Sequence, residues 1–232
     1  KYGYLYQGQR YKWQKKRRGT PALDLRPAQF VNFLQNHDQI ANSGRGARVH
    51  RLASPGRYKA LTALLLLSPR TPMLFQGQEF AASSPFLYFA DHKPELAKTI
   101  RDSRLRFLAQ FPSLAGPEMQ SCLADPGNPS TFEKSKLDFA DRERNAPYYA
   151  LHKDLIRMRR EDPVFRRQGA VAGAVLGAEA FVLRFFGEEA GDRLLLVNLG
   201  RDLRLDPAPE PLLAPPAGAL WTLAWSSEDP RY

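Results

Sequence analysis

Two short apolar runs, Phe30-Val31-Asn32-Phe33-Leu34 and Pro72-Met73-Leu74-Phe75, lie about forty residues apart, and each ends in polar side chains capable of chemistry. Short, apolar and β-prone segments of this kind are the pattern of buried strands. Between them, residues 57–68 carry Leu61, Leu64, Leu65 and Leu67 where a helix can lay them on a sheet, and Pro69 stops that helix. Strand, helix and strand make a βαβ unit, and a βαβ unit needs a parallel sheet. This part of the chain is therefore expected to be α/β.

Residues 1–28 have no helical period and are broken by Gly19, Pro21 and Pro27, which predicts a long loop. Residues 42–54 form a Gly- and Arg-rich loop, and residues 80–92 an aromatic one. Helices are expected over residues 94–111 and 148–161, with irregular, proline-punctuated chain over 112–145. After Pro163 the pattern changes to short apolar runs at 170–176, 180–186, 193–199 and 219–225, separated by glycines and a proline-rich connector at 207–216. Such runs predict a small antiparallel β domain. No internal repeat is visible.

The 232 residues are 43% hydrophobic and 25% charged, enough for one substantial core or two smaller ones and incompatible with collagen, coiled coil or wholesale disorder. The longest apolar stretch, residues 63–67, is far short of the roughly 20 residues a membrane helix needs. No membrane partner and a cytoplasmic location are expected. Cys122, the single cysteine, permits no intramolecular disulfide and no thiolate metal cage. The net charge of +10 arises entirely in residues 1–60, which hold 13 Lys and Arg against Asp24 and Asp38. Lys12-Trp13-Gln14-Lys15-Lys16-Arg17-Arg18 combines cations with an aromatic plane, as nucleic-acid contacts do. A solvated loop has the same composition, and no nucleic-acid partner is expected.

The richest segment is Gln35-Asn36-His37-Asp38-Gln39, since residues at the C-terminal ends of parallel barrel strands point into the substrate mouth. The residues alone leave open a plainer role, with Asp38 or Asn42 capping a helix and His37 packing. Glu79, after the second strand, could face Asp38 as a carboxylate pair for glycoside chemistry, or could simply anchor its loop. Phosphate loop, dinucleotide fingerprint and nucleophile elbow are all missing. His37, His50, His92 and His152 have no metal-site spacing, so neither metal nor cofactor is expected. Phe86, Tyr88 and Phe89, with Tyr2, Tyr4, Tyr6 and Trp13, could stack on sugar rings; burial in a core is the competing role for Phe86 and Phe89.

The run from Phe30 through Asn36-His37-Asp38 resembles the fourth signature region of the α-amylase superfamily. Together with Leu64-Leu65-Leu66-Leu67-Ser68-Pro69, Phe75-Gln76-Gly77-Gln78-Glu79, Pro85-Phe86-Leu87-Tyr88-Phe89-Ala90-Asp91-His92 and Trp225-Ser226-Ser227-Glu228-Asp229-Pro230-Arg231-Tyr232, it is similar to the malto-oligosyltrehalose trehalohydrolases of that superfamily. The resemblance implies that residues 1–164 are the last part of a (β/α)8 TIM barrel, with strands seven and eight at 30–34 and 72–75, and that residues 165–232 are a C-terminal antiparallel β-sandwich. It further implies a retaining hydrolase of the α-1,4 bond next to the trehalose end of malto-oligosyl trehalose. Asp38 would be the transition-state stabiliser, with His37, Asn36, Gln39, Phe86 and Tyr88 on the substrate and no proton-transfer role for Glu79.

The nucleophile and acid/base of such enzymes would lie upstream of Lys1. A full barrel takes about 250 residues, so the chain is expected to be the C-terminal portion of a longer protein. It would be inactive alone, in need of that upstream part to close the barrel, and stopped early at Tyr232. Another α-glucan enzyme, such as a branching enzyme or amylase, and a non-catalytic glucan-binding fragment are the alternatives.

Overall fold

The computed structural model describes residues 5–232; Tyr2 and Tyr4 lie outside the described residues. A small hairpin opens it, β1 (Arg10–Tyr11) paired antiparallel with β2 (Lys16–Arg17), where a loop was expected. The Gly8 N–H donates to the Arg18 carbonyl (2.9 Å) and the Arg18 N–H to the Gln9 carbonyl (3.0 Å), while the Arg18 guanidinium stacks on the Tyr6 and Tyr11 rings.

The βαβ unit is present. β3 (Val31–Asn32) runs parallel to β4 (Thr71–Pro72), in the register Val31↔Thr71 and Asn32↔Pro72. Both strands are shorter than the apolar runs that announce them, because only two residues of each find a partner. After β3 come the short helices α1 (His37–Ala41) and α2 (Val49–Leu52), the latter within the expected loop. The crossover helix α3 (Pro55–Leu67) starts at the Ser54 hydroxyl, which accepts from the Arg57 N–H, with Pro55 in the first turn. Its end is held by Arg159, whose guanidinium donates to the carbonyls of Leu66 (2.8 Å), Ser68 (2.6 Å) and Arg70 (2.6 Å). The Leu66 carbonyl belongs to the last turn of the helix, whose carbonyls have no intrahelical donor.

The parallel pair has two unlike faces. On one, Leu74 packs against the core that holds Ala63, Leu66 and Leu67 of α3; on the other, Val31 (56% exposed), Phe33 (39%) and Met73 (37%) are bare. Apolar side chains in a row on a strand face normally lie against another layer.

α4 (Pro94–Leu108) follows the aromatic loop, ending three residues before its expected limit. The stretch expected to be irregular holds α5 (Pro117–Ser121), α6 (Pro129–Ser135) and α7 (Asp141–Arg144), one or two turns each. α8 (Ala146–Glu161) buries Leu151, His152 and Leu155 against α3. α9 (Pro163–Arg167) begins at the Asp162 carboxylate, which accepts from the N–H groups of Val164 and Phe165.

The last part is a three-stranded antiparallel sheet, β5 (Val171–Gly177), β6 (Ala180–Phe185) and β7 (Arg193–Asn198), in that order. Of the expected β-sandwich, one small antiparallel sheet of three strands is present among the described residues. A sandwich packs two sheets, whereas among the described residues this sheet packs on helices: Phe185, Leu195 and Val197 join Ala63, Leu66 and Leu67 of α3 and Leu151 and Leu155 of α8 in one core. Residues 219–225 do not form the expected fourth strand. With no ladder partner, Leu220 and Leu223 point to solvent, while the Trp221 indole donates to the Leu213 carbonyl and the Trp225 indole to the Tyr232 hydroxyl. No helix among the described residues is long and apolar enough to cross a membrane.

Candidate functional site

Parallel pairing brings the polar ends of β3 and β4 to the same edge. At the first, Asn36 caps α1: its Oδ1 accepts from the N–H groups of Asp38 (2.9 Å) and Gln39 (3.2 Å), and the Gln39 Oε1 accepts from the Asn36 N–H (2.9 Å). This reciprocal box satisfies three donors at the helix start. The sequence reading gave the capping role to Asp38 or Asn42, but the structure gives it to Asn36. Asn36 and Gln39 therefore spend their side-chain oxygens on local structure. His37 and Asp38 remain outward, 66% and 72% exposed, with Nε2 and Oδ1 3.4 Å apart. Both sit in the first turn of α1.

Behind this turn the polar groups are buried and connected. Gln35 accepts the Val49 N–H at 2.8 Å and reaches Gln78 Oε1 at 3.5 Å, so one side chain spans both strand ends. Arg48 donates through Nε to the Ser84 carbonyl and through Nη1 to the Gln76 carbonyl, both at 2.7 Å. Burial lowers the pKa of this guanidinium, with the charges of Glu79, the Tyr58 phenol and Asp141 opposing that fall. Tyr58 donates to the Gln78 carbonyl at 2.7 Å, its ring flanked by His50 and His152. Burial raises the Tyr58 pKa and lowers that of His50 to about 4, helped by Arg51 and Arg48. His152 is also lowered by burial, against its bond to the Tyr148 carbonyl.

Glu79 lies in a single 3-10 turn, Gln78–Phe80, between Gly77 and Ala81, both left-handed. Its charge is felt by Arg48, Tyr58 and His152, so it belongs with this buried group. The turn is held from outside: Asn145 donates to the Phe80 and Ala81 carbonyls, and Asp141 accepts the Ser83 N–H at 2.7 Å. Burial of Asp141 works against its charge, but Ser83 and Arg144 outweigh it and keep the carboxyl below its usual range.

The aromatic loop divides. Phe86 is half-buried between Phe75 (5.0 Å between ring centres) and Phe89 (5.8 Å), and Phe89 meets Phe132. Tyr88 is more open, with the Arg104 guanidinium 4.4 Å from its ring centre. Arg104 also donates to Asn42 Oδ1 and the Ala41 carbonyl, joining Tyr88 to the end of α1. Gly46 lets the loops meet: a Cβ there would fall 2.7 Å from the Phe86 carbonyl oxygen. Among the described residues no three His, Cys, Asp or Glu side chains cluster as a metal site would need. Sequence reasoning missed Arg48, Tyr58 and Arg104, and placed Gln35 at the strand end without a role of its own. Arg48 sits in a Gly- and Arg-rich loop that reads as solvated, and nothing local marks it as buried.

Residues 168–232 match a family described as a domain of unknown function (DUF3459). The malto-oligosyltrehalose trehalohydrolase of Deinococcus radiodurans is 39% identical over 209 residues, 87% of this chain and 34% of that protein. The enzyme of that name from Rhizobium sp. is 32% identical over 210 residues, covering 88% and 34%. The chain is homologous to the C-terminal portion of the malto-oligosyltrehalose trehalohydrolases. It spans about a third of the length of these curated relatives. In structure it matches a putative α-amylase from Salmonella typhimurium with TM-score 0.73 and 31% identity, over 86% of this chain and 34% of that one. The sequence similarity is thus to trehalohydrolases and the structural similarity to a putative α-amylase.

Proposed function

We propose that the chain is the C-terminal portion of a retaining trehalohydrolase. Residues 1–164 contribute strands seven and eight of the (β/α)8 barrel, and residues 165–232 an accessory unit. The protein of which it is part hydrolyses the α-1,4 bond next to the trehalose end of malto-oligosyl trehalose. The observation that carries this reading is the parallel β3–β4 pair, with an outward His37–Asp38 turn at its C-terminal edge and a bare apolar face of Val31, Phe33 and Met73. Barrel strands carry their chemistry at that edge, and barrel interiors are filled by such side chains from neighbouring strands.

In this reading Asp38 accepts hydrogen bonds from the 2- and 3-hydroxyls of the glucose at the cleavage point. These contacts strengthen as the ring flattens towards an oxocarbenium ion, which lowers the barrier instead of merely tightening binding. His37 binds hydroxyls of the same sugar. Asn36 and Gln39 act on the substrate mainly by fixing this turn, and Tyr88, with Phe86 behind it, forms an aromatic wall. The nucleophile and the acid/base come from the upstream portion, so the 232 residues alone are expected to be inactive.

The test compares trehalose release by this chain, by the chain extended upstream to the length of its relatives, and by the extended form carrying Asp38→Asn. Release by the extended form alone, lost by at least about 100-fold in Asp38→Asn, is expected for a transition-state contact. Turnover by the short chain, or an Asp38→Asn variant as active as its parent, refutes the assignment.

A further inference from the structure

We infer that Arg48 is a positioning residue, which holds the Glu79 turn and the Phe75–Phe86 wall in register with the Asn36–Asp38 strand end. It rests on the glucan reading only for the reaction it serves.

Arg48 is 1% exposed. Its fork joins the Gln76 and Ser84 carbonyls, the two ends of the loop that carries Glu79, and its guanidinium carbon lies 5.6 Å from the centre of the Phe75 ring. Phe75 in turn packs edge-on against Phe86. The next residue, Val49, is tied through its N–H to Gln35, immediately before Asn36. One dipeptide, Arg48-Val49, therefore contacts both strand ends.

The arrangement is kept against its local cost. Nη2 of Arg48 is buried without a hydrogen-bond partner, and no carboxylate pairs with the guanidinium among the described residues. Gln78 Nε2 and Ser84 Oγ are likewise buried without partners, and Ala81 is held at φ 48 in the same loop. Unmet buried donors and a strained non-glycine residue are both destabilising, and they collect where geometry is used. An apolar side chain would fill the space without a desolvated charge, but it could not bridge two carbonyls. Lysine could reach one at a time, since only the planar fork presents diverging donors in fixed geometry.

The experiment uses the chain extended upstream, with Arg48→Met and Arg48→Lys. Amide exchange is followed at Ala82, whose N–H bonds the Gly77 carbonyl, and at Phe86, whose N–H bonds the Gly46 carbonyl. In Arg48→Met, exchange at these two sites should rise about 10-fold or more while α8 and β6 keep their protection. Trehalose release should fall about 10- to 100-fold in kcat with little change in KM, as misplacement by an ångström does. Should Arg48→Met not fold, Arg48→Lys carries the test with the same two sites, at about 3-fold or more. Unchanged exchange and unchanged kcat in a folded variant overturn the inference. So does a uniform loss of protection with normal kcat per folded molecule, which is the signature of a purely structural residue. If the extended parent releases no trehalose, the substrate reading fails, and the exchange pattern still decides the role of Arg48.

Discussion

The turn that carries Glu79 makes a paired prediction of unequal size. Gly77 has φ +78, and a Cβ on it would lie 2.7 Å from the Cβ of Ala82 and 2.7 Å from Cδ2 of Leu137. Ala82 cannot retreat, because its own N–H is bonded to the Gly77 carbonyl at 2.9 Å. Gly77→Ala therefore adds a left-handed penalty of about 1 kcal/mol to overpacking of about 1–3 kcal/mol. The expected destabilisation is about 2–4 kcal/mol, among the larger effects of a single substitution. Four residues on, Ala81 occupies the same region of backbone space with φ 48 and ψ 54. Ala81→Gly removes strain of about 1 kcal/mol there, offset in part by the greater freedom of glycine in the unfolded chain. Urea unfolding of the folded protein reads both. With a slope of about 2–3 kcal/mol per molar, Gly77→Ala lowers the midpoint by about 1 M and Ala81→Gly shifts it by no more than about 0.3 M in either direction. A Gly77→Ala midpoint equal to the parent's, or an Ala81→Gly loss as large as that of Gly77→Ala, would show that the turn is not held as described.

Two further predictions concern His50 and the chain's last residues. His50 drops from 6.5 to about 4 on folding, chiefly through burial. Between these values only the unfolded chain takes up the proton, so its contribution is complete above about pH 6.5 and disappears as the pH falls towards 4. For a half-buried ring this amounts to about 2 kcal/mol after solvent screening. Urea midpoints at pH 7 and 4.5 should differ less in His50→Gln than in the parent, and equal differences would refute it. Tyr232 donates to Asp154 at 2.7 Å and accepts from the Trp225 indole at 3.1 Å. Tyr232→Phe should cost about 1–2 kcal/mol, seen as a fall of about 2–4 °C in Tm, and an unmoved Tm contradicts the contact's role.

What the sequence made legible was set by periodicity and by punctuation. The helix that runs from Pro55 to Leu67 was visible through its leucines and through Pro69 after it, although its start was placed at residue 57, two residues late. The β3–β4 pairing followed from it. What packs on the three-stranded sheet was not legible, because an apolar strand face states only that something covers it; among the described residues α3 and α8 do so. At the strand end, Asn36, His37 and Asp38 could be singled out, but which of them caps the helix depends on backbone geometry at Asn36. Arg48 was illegible for a different reason. Its acceptors at Gln76 and Ser84 are backbone carbonyls, which leave no trace in composition.

The core shared by α3, α8, β6 and β7 bears on how such a chain can be divided. The recognisable sequence unit begins at residue 168, yet Phe185, Leu195 and Val197 find their interior partners in Ala63, Leu66, Leu151 and Leu155, all before it. The unit of inheritance and the unit of packing do not coincide. Recombination at that boundary would transplant a sheet without the helical surface that completes it, and a productive graft has to bring the matching faces of α3 and α8 with it.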